Sequence, residues 1–96
     1  MFRNSRYVTR GVTNTASPPL QLLLWYLIDT MEVEQMDYLQ VFELEPEGDR
    51  QKIIHTQEEP NYRKEYSLNF GDKPVQAKIF VIDDGDHSTM LLAEEY

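Results

Sequence analysis

The chain has 96 residues, 41% of them hydrophobic, no cysteine and a formal net charge of −8. That length makes one domain, residues 1–96, able to bury a modest core without metal or disulfide support, and the missing cysteine excludes thiolate metal sites, thiol catalysis and disulfides. A surface this acidic repels phosphate backbones and argues against general nucleic-acid binding.

The charge is uneven. Residues 1–28 carry Arg3, Arg6 and Arg10 with no acid, for +3, and the remainder carries −11. These arginines read as solvated or paired with the acid-rich remainder, an anion or an acidic partner being the other option. The start, MFRNSRYVTRG, lacks the apolar stretch of a secretory signal, and the longest uninterrupted apolar run is the seven residues 22–28. No membrane span is expected, and a cysteine-free chain fits the cytoplasm.

Residues 6–12 (RYVTRGV) alternate β-branched and aromatic positions and predict a first strand. Residues 14–19 break it, with Ser17 suited to cap a helix and Pro18 to stand at its first position, where a missing N–H costs nothing. The helix is expected over residues 17–34. Leu20, Leu23, Leu24, Leu27, Ile28 and Met31 follow the spacing of a core-facing stripe. At about 100° per residue, Leu22, Trp25, Tyr26 and Val33 fall on the opposite side, and only Gln21, Asp29, Thr30 and Glu32 remain as a polar margin. This second apolar stripe makes Leu22, Trp25, Tyr26 and Val33 interface candidates, because Trp and Tyr are enriched at contact cores. The competing explanation is internal: an N-terminal arm of Met1 and Phe2 folded over Leu22 and Trp25.

After the helix the period drops from 3.6 to 2. Residues 38–45 (YLQVFELE) predict a strand, 46–49 a turn with proline and glycine, and 51–57 (QKIIHTQ) its hairpin partner. Residues 58–61 break the chain again, residues 62–70 alternate cleanly, and residues 71–74 turn. Residues 77–82 (AKIFVI) are apolar on both sides toward their end, residues 83–87 form a link, and residues 89–93 (TMLLA) close the series. The expected fold is α+β: a mostly antiparallel five- to six-stranded sheet with one amphipathic helix inserted after the first strand.

One helix shields one side of a sheet, yet the strands put apolar residues on both. Leu39 and Val41 oppose Phe42 and Leu44, and Phe80 and Ile82 oppose Ile79 and Val81. A second apolar surplus is therefore expected on the sheet, of the kind that marks interaction sites, unless the sheet curls into a barrel and buries it.

The chemical inventory is thin. Asp83, Asp84, Asp86 and His87 are the densest set of potential metal ligands, but DDGDH lacks the calcium-loop pattern and its later glutamate. Asp-Gly within a strand connection is first a hairpin signature. His55, in phase with Gln57, would need a cleft and an orienting partner to act as an acid or base. The six tyrosines favour strands and lack the basic groove of a base-stacking platform. No G-x-S-x-G elbow, phosphate loop or G-x-G-x-x-G occurs. No cofactor is expected.

The blocks RYVTRGV, LQLLLW, DYLQVFELE, QKIIHTQE, AKIFVIDD and STMLLAEEY together resemble a family of small proteins from low-GC Gram-positive bacteria, domain of unknown function 960. The resemblance implies a bacterial cytoplasmic protein. That family has no established activity, so no catalytic residue carries over. Two classes of function remain: a non-enzymatic interaction module, binding a protein partner or forming a homo-oligomer, and a small enzyme or metal- or ligand-binding protein that uses the acidic loop 83–87.

Overall fold

The computed structural model describes residues 1–96. The elements are β1 (Ser5–Val8), α1 (Arg10–Thr15), α2 (Pro18–Asp29), β2 (Leu39–Glu47), β3 (Arg50–Gln57), β4 (Tyr62–Leu68), β5 (Ala77–Asp83) and β6 (His87–Leu92), with a short 3-10 turn over Ala93–Glu95. The six strands form one sheet in the order β1-β6-β5-β2-β3-β4. Every pair is antiparallel except β1 with β6. The α+β class, the mostly antiparallel sheet and the helix after the first strand all hold, and the sheet stays open, with β1 and β4 as its edges.

Two expectations need correction. The first strand does not run to residue 12: it stops at Val8, and residues 10–15 coil into α1. Thr9 redirects the chain. Its Oγ1 accepts from the Val12 N–H at 3.3 Å and donates to Glu95 Oε1 at 2.6 Å, so a carboxylate from the far end of the chain reinforces the cap, where the first N–H groups have no helical partner. Gly11 makes room for it, since a Cβ there would lie 2.6 Å from the Glu95 carboxyl.

The second correction concerns α2, which ends at Asp29 rather than residue 34. Thr30 Oγ1 donates to the Tyr26 carbonyl at 2.9 Å, and the Met31 N–H turns back to Ile28 O at 3.3 Å. That tightened closure ends the helix, and Val33 lies beyond it.

Alternation in the strands decides the core. Leu20, Leu24, Trp25, Leu27 and Ile28 of α2 pack with Phe42 and Leu44 of β2, Ile53 of β3, Ile79 and Val81 of β5 and Met90 of β6. The register aligns these strand residues across one face. Val12 of α1 and Ala16 join the same cluster. Each of the larger aliphatic and phenyl side chains contributes about 1.5–3 kcal/mol when fully buried.

The N-terminal arm seals the edge of that core. Phe2 is fully buried and has a φ of +65°, a left-handed backbone that costs a non-glycine residue about 1 kcal/mol or more. Burial of the ring and two hydrogen bonds offset it: the Phe2 N–H donates to Asp83 Oδ2 at 2.7 Å, and its carbonyl accepts from Arg6 Nε at 3.0 Å. Arg6 also pairs with Asp29 and lays its guanidinium 4.7 Å from the centroid of the Trp25 ring. No helix is long and apolar enough to cross a membrane.

Candidate functional site

Both helices pack on one side of the sheet, so its other side carries side chains of the strands and, from the chain's last turn, Tyr96. The register sorts that open face into two halves. Toward β6, β5 and β2 it is apolar: Val41, Phe80 and Leu91 stand side by side across three strands, with Leu39 and Ile82 in the next row and Tyr7 of β1 beyond Thr89. All five aliphatic and phenyl side chains of those two rows are half-buried, and Tyr7 is exposed. Tyr96 meets Phe80 edge to face at a centroid distance of 5.7 Å.

Toward β3 and β4 the open face is charged. Glu43, Glu45, Glu47 and Glu65 alternate there with Arg50, Lys52, Arg63 and Lys78. Lys52 approaches Glu65 at 3.4 Å, and Arg63 pairs with the same carboxylate. The Arg63 guanidinium first, and the Lys52 ammonium after it, hold the Glu65 carboxyl below its usual range. Ile54, between Glu43 and Glu65 in register, is buried under these long side chains, whose alkyl stems can shield apolar surface. Four acids and four bases cancel on this face, so the whole net charge of −8 lies on the rest of the molecule.

The interface candidates of α2 divide. Leu22 and Tyr26 project into solvent, 69% and 60% exposed. Trp25 does not: it is 8% exposed, enclosed by the core and capped by Arg6. Of the arm of Met1 and Phe2 offered as an internal cover, Phe2 joins the same core cluster while Met1 and Leu22 stay exposed, and it is Arg6 that covers Trp25. Val33, off the helix, is partly exposed.

The acidic link has other work. Asp83 accepts from the Phe2 N–H, from Asn4 Nδ2 at 3.1 Å and from the Gly85 N–H at 2.8 Å. Partial burial acts to raise its pKa, but these donors prevail and hold it below the usual carboxylate range. Asn4 in turn accepts from the buried Ser88 hydroxyl at 2.6 Å. Asp84 accepts from the Asp86 and His87 N–H groups and meets His87 Nε2 at 3.0 Å. Asp83, Asp84, Asp86 and His87 thus form a turn and a clasp, and no set of three or more acidic or histidine side chains is arranged to hold a metal ion.

His55 sits inside the core, fully buried, stacked on Phe42 at 4.3 Å and edge-on to Tyr62 at 5.3 Å. Its Nε2 lies 2.7 Å from Gln40 Oε1, so the proton resides on Nε2, and Nδ1 is left buried without a partner. Desolvation lowers the His55 pKa to about 4. Desolvation, with Tyr66 and then Glu32 adding to it, raises Tyr62 to about 12. Both rings are neutral at physiological pH, and neither is poised for proton transfer.

Sequence reasoning put Gln57 in phase with His55 but missed Gln40 and the network the two glutamines form. Gln40 Nε2 donates to Gln57 Oε1 at 2.7 Å and to Asp37 O at 2.9 Å, and Gln57 Nε2 reaches Gln35 O and Pro60 O. This network ties residues 35–37 to the β3–β4 turn. The available signal was phase: Gln40 alternates with Phe42 and Leu44, and Gln57 with Ile53 and His55, both on the buried side.

A cleft of about 260 Å³ opens between the start of α2 and the segment before β5, lined by Thr15, Ser17, Leu20, Gln51, Phe70, Asp72, Lys73 and Val75. Pro18 and Pro19 deprive this helix end of two N–H groups, and both polar atoms of the Gln51 amide are engaged, by the Val75 N–H and by backbone carbonyls. The polar groups left to face a ligand are the Thr15 and Ser17 hydroxyls, the Asp72 carboxylate and the Lys73 ammonium.

A crystal structure of a protein of unknown function from Enterococcus faecalis is similar to this chain, with a TM-score of 0.86 and 27% sequence identity, covering 97% of this chain and 91% of that one. No curated protein matches. Residues 5–95 match the family described as Staphylococcal protein of unknown function (DUF960), and the chain belongs to that family.

Proposed function

We propose that this is a cytoplasmic, non-enzymatic protein–protein interaction module whose docking surface is the open face of its sheet. The observation that carries the reading is the contiguous group Leu39, Val41, Phe80, Ile82 and Leu91 on a side that no helix covers. Contiguous apolar surface rimmed by charge is the usual mark of a contact site. The buried, neutral His55 and the self-satisfied acidic turn offer chemistry no reactive group, which supports binding over catalysis. The exposed Leu22 and Tyr26 form a smaller, separate ridge.

A photo-crosslinking amino acid placed at Thr89, in the apolar half, should form protein adducts inside cells, and the same group at Thr30, at the end of α2, should not. A folded Thr89 variant that yields no protein adduct at all would retire the proposal.

A further inference from the structure

Resting on that reading, we infer that the occupant of the open face is a second copy of this chain, packed sheet against sheet in an isologous dimer. Charge is the first reason. A −8 chain repels its own copy wherever that charge is displayed, and the strand positions of the open face, with four acids balanced by four bases, carry no net charge. A basic partner would be drawn instead to the acidic remainder.

The second reason is self-complementarity. An isologous interface brings the same patch together twice, so its surface must accept itself. Apolar rows meeting apolar rows do so, and interspersed charges of both signs can pair across a two-fold axis where a patch of one sign could not.

Area is the third. Six strands about 4.8 Å apart and roughly seven residues long, at about 3.4 Å each, present on the order of 700 Å² of sheet plane. Side-chain relief raises the accessible area above that figure, near the roughly 800 Å² per partner of a standard stable interface. The apolar half alone falls short. The dimer therefore uses the whole face, with strands of the two sheets aligned within about 30° and the sheets about 10 Å apart. Helices remain on both outer sides.

Light scattering and sedimentation equilibrium on the purified full chain test this directly. The expected result is a two-protomer species, with Leu91→Glu or Val41→Glu weakening association by about 30-fold or more, as for a central contact residue, while Leu22→Glu leaves it unchanged. Each variant is checked for a native circular-dichroism spectrum. Hydroxyl-radical footprinting of the unaltered chain gives a measurement independent of any variant: Phe80 and Leu91 should become protected as concentration rises, and Tyr26 should not. A strict monomer at sub-millimolar concentration overturns the dimer. If Thr89 crosslinks in cells still form, with masses that differ from two protomers, the interaction reading survives that failure. A dimer that is lost with Leu22→Glu and protects Tyr26 also overturns it, by moving the contact to α2.

Discussion

The two faces of the sheet are made by the same strands, one residue out of phase, and they answer to different demands. On the helix side, Phe42, Ile53, Ile79, Val81 and Met90 are fully buried, and even the polar residues Gln40 and His55 are drawn in and hydrogen-bonded. On the open side, Val41, Phe80 and Leu91 stay half-buried, and Glu43 and Lys78 stand two residues along the strand from Val41 and Phe80. The comparison separates residues that hold the fold from residues available to a partner. A pleated strand can serve both ends because a step of one position exchanges the faces.

The largest expected effect breaks the covered side. Phe42→Ala, which removes a fully buried ring, should cost about 3–5 kcal/mol in urea unfolding. Phe80→Ala on the open side should cost about 1 kcal/mol in the monomer, the low end for a partly exposed residue. Equal losses at the two positions would show that the open face is part of the monomer's core.

Acid should act next, through His55. Its folded pKa is about 4 against an ordinary 6.5, so the unfolded chain binds the proton first. The stability this imidazole confers is complete above pH 6.5 and is lost as pH falls toward 4, by about 3 kcal/mol in all. A His55→Leu variant should show a flatter profile across that window, followed by urea midpoints at successive pH values. A flat profile for the unaltered chain would contradict the neutral buried ring. Asp83, whose folded pKa is depressed, adds a further loss at still lower pH, as its carboxylate protonates.

A smaller change probes the cap of α1. Gly11→Ala should displace Glu95 and lower the thermal midpoint, because the new Cβ meets the Glu95 carboxyl. With Glu95 already replaced by alanine, the same change should raise the midpoint, since alanine suits a helix better than glycine. Absence of this reversal in a double-mutant cycle would mean that Glu95 does not occupy the cap. The smallest effect on stability is expected for Leu91→Lys, about 1 kcal/mol or less in the monomer, so that its influence on association can be read separately.

Much of this contrast was legible because a period of two is a local property. The alternation in residues 38–45 placed Leu39 and Val41 opposite Phe42 and Leu44, and the register bears that out. What escaped depended on residues distant in sequence. RYVTRGV reads as one strand until Glu95 is brought to Thr9 to favour a helix start at residue 10. Spacing alone carried the helix to residue 34, past the backbone closure at Thr30 and Met31. Trp25 looked like exposed surplus because its cover, Arg6 held by the Phe2 carbonyl, comes from an arm that β1 and α1 separate from the helix in sequence. The acidic run resembled a ligand set because two of the donors that satisfy Asp83, the Phe2 N–H and Asn4, lie about eighty residues upstream.

The parallel pairing of β1 with β6 has a consequence for the order of events at the ribosome. Phe2 and its acceptor Asp83 are 81 residues apart, and at synthesis rates of about 5–20 residues per second the first strand waits on the order of ten seconds for its neighbour. The β2–β3–β4 meander can pair in that interval, and β5 can add to β2. The arm cannot dock, because neither Asp83 nor the edge of β6 yet exists. The amino-terminal arm is thus made first and docked last, and during the wait the core beneath it lacks Phe2 and Met90.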